Sequence, residues 1–143
     1  NKRSRAVGVS TKSSTPSKNQ KRMKTANHAE RHAFVKYDNG HYLLYLNEQA
    51  ATFDMPEHEN PIEGYSYTGD MEDGSTIIEA KDVTDENRRS KFIAGLIGKR
   101  YSIDAQIAML ANGADTEEHG QELREFEAYR NKCKQDVDEL LNR

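Results

Sequence analysis

The sequence predicts an α+β chain: an extended basic N-terminal arm, a small antiparallel sheet of two hairpins, and two or three C-terminal helices. Three observations lead there. Charges before Glu30 are all positive and apolar residues are scarce; two turn dipeptides, Asn39-Gly40 and Asp73-Gly74, stand between runs of aromatic and β-branched residues; and beyond Thr84 the apolar residues recur at helical spacing. The expected boundaries are 1–29 for the arm, 30–83 for the β region and 84–143 for the helical region.

The arm carries Lys2, Arg3, Arg5, Lys12, Lys18, Lys21, Arg22 and Lys24 with no acid among them. Val7, Val9 and Met23 are almost its only apolar residues. Such a segment cannot offset roughly 1–2 kcal/mol of backbone entropy per residue, so it is expected to order only on a partner. Met23 offers an alternative start, which makes the preceding residues an extension.

The first hairpin is expected from Ala33 to Tyr37, through an Asn-Gly turn of type I′, and back from His41 to Leu46. A polar loop with Pro56 and Pro61 follows. A second hairpin is expected from Gly64–Thr68 and Ser75–Ala80 around Asp73-Gly74, for about four strands in all.

Thr84-Asp85-Glu86 reads as a helix start, and Phe92, Ile93, Leu96 and Ile97 as its buried face up to Gly98. Ser102 caps the next helix, with Ile103, Ile107 and Leu110 on one face and a stop at Asn112-Gly113. Thr116 caps a longer helix with a stripe of Leu123, Phe126, Tyr129, Cys133, Val137, Leu140 and Leu141. That stripe is expected to pack on the Ile103–Leu110 helix, any surplus becoming an interface.

Composition narrows the function. With 143 residues, 34% hydrophobic and 31% charged, and a mean hydropathy of −1.00, one small core is all the chain can build. Lone Cys133 permits neither an intrachain disulfide nor a cysteine zinc site, and no apolar run suits a bilayer or a signal peptide. The net charge of −3 conceals an acidic stretch from Asp54 to Glu86 opposed only by Lys81. Arm and domain should therefore attract one another, or the opposite part of a neighbouring copy.

His28 and His32 are i,i+4 around Glu30 but lack the order of a helical zinc motif, so they read as surface histidines. His58 between Glu57 and Glu59 lies in an acidic Pro-rich loop, which is ordinarily solvated. Asp70, Glu72, Asp73 and Gly74 lack the ligand order of a calcium loop and read as a hydrated turn. Nucleophile-elbow and phosphate-loop motifs are missing. The expectation is a non-enzyme with no metal and no cofactor; a small hydrolase using His58 or His119 has no recognisable nucleophile nearby.

The arm has three readings: a linker, a protein-docking segment, or a phosphate-neutralising one. It has no Phe, Tyr or Trp to stack on bases, which disfavours a dedicated single-strand binder.

The tract Lys91-Phe92-Ile93-Ala94-Gly95-Leu96-Ile97-Gly98-Lys99-Arg100-Tyr101-Ser102-Ile103, followed by Gln106-Ile107-Ala108-Met109-Leu110-Ala111-Asn112-Gly113, Phe126-Glu127-Ala128-Tyr129-Arg130 and Cys133-Lys134, resembles the helical C-terminal segment of small tailed-bacteriophage structural and tail-associated proteins. The resemblance covers about a third of the chain and includes neither the hairpins nor the arm. It implies a virion component made in the bacterial host cytoplasm, in the tail, fibre, adaptor or head, or an assembly chaperone for one. Its partners would be other virion proteins and copies of itself, with the arm docking on neighbouring subunits. A nucleic-acid-binding accessory protein that uses the arm is the alternative, and no membrane role is expected.

Overall fold

A computed structural model describes residues 22–143. The α+β expectation holds, with six strands and three helices among the described residues. The strands are β1 (Lys24–His28), β2 (Phe34–Asp38), β3 (His41–Leu44), β4 (Gln49–Phe53), β5 (Ile62–Gly69) and β6 (Thr76–Glu79). The helices are α1 (Arg88–Gly98), α2 (Ile103–Asn112) and α3 (Glu117–Leu141).

Instead of one sheet there are two antiparallel ones, in the orders β1-β5-β4 and β2-β3-β6. The arm boundary moves accordingly. Lys24 to His28 pair with β5 from Gly69 to Tyr65, and Lys24 sits 2.8 Å from Glu72, so Lys24 belongs to the sheet and not to an arm. Alternation makes this strand possible despite its polarity: Lys24, Ala26 and His28 are half-buried, whereas Thr25 and Asn27 face water. Lys2, Arg3, Arg5, Lys12, Lys18 and Lys21 lie outside the described residues; Arg22 is exposed.

The first hairpin forms, but its turn is not type I′, since neither Asn39 nor Gly40 has a positive φ. The register shifts between Lys36 and Asp38, and the Asp38 carboxylate accepts from the Gly40 amide and contacts His41 Nδ1, both at 2.8 Å. A bulge and a side-chain bond thus replace the mirror-image turn.

The second hairpin does not form. β5 pairs with β1 and β4, and β6 pairs with β3, so the strands around Asp73-Gly74 enter different sheets. The turn itself is present. Gly74 has φ +84°, and a Cβ there would lie 2.4 Å from the Tyr67 carbonyl, so only glycine fits.

α1 starts at Arg88, later than the Thr84 signal, because Thr84 and Asn87 bond each other reciprocally and close a turn first. Ser102 and Thr116 cap α2 and α3 as read, accepting from Ala105 and His119 amides, each at 3.0 Å.

The core lies between one face of β2-β3-β6 and the pair α1 and α3. Leu44 and Ile78 meet Phe92, Ile93, Leu96 and Ile97, backed by Phe126, Cys133, Val137 and Leu140 from α3. Leu123, Tyr129 and Leu141 pack on it partly buried. The α3 stripe is therefore filled by the chain's own core, chiefly by α1. Burial of 1.5–3 kcal/mol per large aliphatic side chain makes this the main stabilising contact.

Candidate functional site

Two features of the surface gather groups that could serve a function. The first is the seam between the sheets, where β1, β3 and β5 bring His28, His32, Tyr45 and Tyr67 together. The His32 ring stacks on Tyr45 at 4.8 Å, and His28 meets His32 edge-on at 4.7 Å. Several of its polar groups bond within the seam. His28 Nε2 is 2.8 Å from the Asp73 carbonyl, and the Tyr45 hydroxyl donates to the Asp73 carboxylate at 2.7 Å. Tyr67, fully buried, donates to Glu48 at 2.8 Å and accepts from the His32 amide at 2.9 Å.

Burial, with the Asp73 bond, pushes Tyr45 up to about 12. Burial alone would raise Asp73 and Glu48, but Ser75 and Tyr45 hold Asp73 below the usual carboxylate range, and Arg31 and Tyr67 do so for Glu48. His28 and His32 are thus members of a packed seam and not free surface histidines. Among the described residues, no group of three metal-ligating side chains converges anywhere. The Asp70–Gly74 turn is likewise more enclosed than a hydrated turn: Asp70 Oδ1 accepts from the Ile77 amide at 3.1 Å and Oδ2 pairs with Lys99 at 2.6 Å. The seam joins two sheets, and its groups are spent on one another.

The second feature is α2. The expected packing of its Ile103, Ile107 and Leu110 face on α3 is not observed: those side chains are 68%, 60% and 64% exposed, and α2 buries no residue fully. α1 already occupies α3, so α2 touches the core only through Met109. An i, i+4, i+7 stripe of three large aliphatics faces water, and contiguous exposed apolar patches mark contact sites on soluble proteins. Of the ten residues of α2 only Asp104 is charged, in a chain 31% charged.

Beside this face a shallow groove of ≈ 480 Å³ runs from Ile103 past Tyr101 and Gly98 to Ile77 and Glu79 of β6. Of its titratable lining groups, His41 pairs with Asp38 and Lys99 with Asp70, and Glu79 stands at its β6 end. The Cys133 thiol is buried and raised by that burial, so it offers no nucleophile. His58, Glu57 and Glu59 are exposed and gathered with no other chemistry, and His119, in the first turn of α3, bonds Asp115 just before its cap.

The sequence shows the α2 stripe plainly, but the direction it faces depends on α1 winning α3, which no local signal encodes. Among the described residues no helix is long and apolar enough to cross a membrane. No protein-family model, no curated protein and no solved structure matches the chain.

Proposed function

We propose that this chain is a non-enzymatic structural protein of a tailed-bacteriophage particle that works through protein contacts, with the exposed face of α2 as its principal contact surface. The observation that carries the contact role is the Ile103, Ile107 and Leu110 stripe, left in water by a fold that buries every comparable stripe elsewhere in its helices. An apolar face that contributes nothing to the chain's own core has a cost in solubility and a use only in association. The particle assignment is supported by the resemblance of the Lys91–Gly113 tract, which contains α2 itself. The arm adds a second, electrostatic contact to a neighbouring acidic surface.

The test is incorporation. The chain should co-purify with virions, and Ile107→Glu should abolish incorporation while leaving thermal unfolding unchanged. Absence from virions, or normal incorporation of Ile107→Glu, refutes the reading. DNA affinity that falls steeply with salt and is lost on removing residues 2–22 would transfer the assignment to the nucleic-acid alternative.

A further inference from the structure

We propose that the α2 face is covered by α2 of a second copy, packed antiparallel about a two-fold axis; this rests on the reading of α2 as a contact surface. Three features favour a second copy. The stripe is self-complementary: with the axis beside Ile107, Ile107 meets its own mate and Ile103 meets Leu110 of the other copy, as an isologous contact requires.

The ends of the helix are oppositely charged. Lys99 and Arg100 precede it, and Asp115, Glu117 and Glu118 follow it. Antiparallel packing over about 15 Å of helix sets basic end against acidic end, whereas parallel packing sets like against like. Arg100, Glu117 and Glu118 are exposed and have no ion-pair partner among the described residues; the Arg100 guanidinium lies 4.8 Å from the centre of the Tyr129 ring, a stacked contact that leaves its N–H edge able to reach a carboxylate across the axis.

The face between the ends is almost free of charge, which removes the self-repulsion that most faces of so charged a chain would meet at a two-fold. A stable dimer covers about 800 Å² of each copy. The three aliphatics supply the centre of that area, with Ala108, Ala111 and the Ile103 end of the groove around them.

The experiment uses the full chain and light scattering over a concentration series, followed by thiol crosslinking of variants that each carry one introduced cysteine. Native Cys133 is buried and stays out of the reaction. A dimer is expected, with Ile107→Glu raising its dissociation constant roughly a hundredfold or more. Ile107→Cys should crosslink to itself; Ile103→Cys and Leu110→Cys should each fail alone and link when mixed. Glu117→Lys with Glu118→Lys should weaken the dimer several-fold and reduce its salt dependence.

A monomer at every concentration, a dimer indifferent to Ile107→Glu, or self-linking of Ile103→Cys overturns the antiparallel pairing. If the chain is monomeric and Ile107→Glu still blocks incorporation into particles, the contact role of α2 survives without the two-fold, so the two failures are distinguishable.

Discussion

Arg143 fastens the end of α3 to the seam between the sheets, and its replacement by alanine should be among the most damaging single changes outside the apolar core. Its side chain is 3% exposed. Nη1 donates to the His32 carbonyl at 2.8 Å and to the Tyr45 carbonyl at 2.6 Å, while Nε and Nη2 hold Glu139 at 3.0 and 2.7 Å. The guanidinium also lies 5.6 Å from the centre of the Tyr67 ring and 3.7 Å from Glu48. Alanine would leave two carbonyls without their charged donor. A hydrogen bond to a charged group contributes about 1.5–3 kcal/mol, and desolvation of the guanidinium offsets part of the sum, so the net loss should be about 2–4 kcal/mol. For a domain of this size that lowers Tm by roughly 8–15 °C. Arg143→Lys should recover about half, because a single ammonium reaches the carbonyls or Glu139 and not both. Calorimetry with urea unfolding is the assay. A loss below about 1 kcal/mol, or equal values for Lys and Ala, would refute the clamp.

Three other outcomes follow from packing and charge. Phe126, 3% exposed with its ring edge-on to Tyr101 at 5.1 Å, should cost about 3–5 kcal/mol on truncation to alanine, while Ile107→Ala should stay within about 0.5 kcal/mol in a denaturation series run dilute enough to keep the chain monomeric; the reverse order would mean the helices are misassigned. Gly95→Ala raises helix propensity by about 1 kcal/mol, yet its Cβ would sit 2.7 Å from the Glu79 carbonyl and 3.0 Å from Ile78, so a net destabilisation of about 1–3 kcal/mol is expected and a more stable variant would exclude that close approach. Glu48 and Asp73 have folded pKa values below the ordinary range, so the stability they contribute is whole above about pH 5 and is lost as pH falls through their folded values; unfolding free energy measured from pH 7 to 2 should drop with acid, less so in Glu48→Gln, and an unchanged slope in that variant would remove Glu48 from the cause.

What the sequence reveals here is what local chemistry decides. Ser102 and Thr116 cap their helices because a hydroxyl at that place bonds an amide three residues on, and nothing distant is involved. Phe92, Ile93, Leu96 and Ile97 bury as read because a four-residue face at that spacing has one way to leave water. Strand β4 was not legible: Gln49-Ala50-Ala51-Thr52 has little strand character and is held extended by pairing with β5. The exchange of β5 and β6 into different sheets was equally hidden, since the Asp73-Gly74 turn dictates a reversal and not which neighbours the strands take afterwards. The α2 face belongs to the same class. Its periodicity could be read, but whether α1 or α2 covers α3 is settled by competition between two apolar helices, and α1 brings the larger buried face.

The sheet edges sharpen the case that contact is directed to α2. β6 is an edge strand, and a bare edge would recruit other chains without regard to sequence. Its Ile77 amide is taken by Asp70 and its Ile77 carbonyl by Lys99 at 2.6 Å, so one ion pair stoppers both groups, while α1 lies against Glu79 at Gly95. On the opposite edge, β2 is broken by the Lys36–Asp38 register shift and carries those two charges, both unfavourable to a long added ladder. Backbone-mediated association is thereby suppressed at both edges of the sheet that faces the core. α2 has no such protection: its single charge is Asp104, in the first turn, and Ile107 and Leu110 stay 60% and 64% exposed. Among the three helices only α2 leaves such a stripe bare, and a bare side-chain face selects partners by fit where a bare strand edge would not.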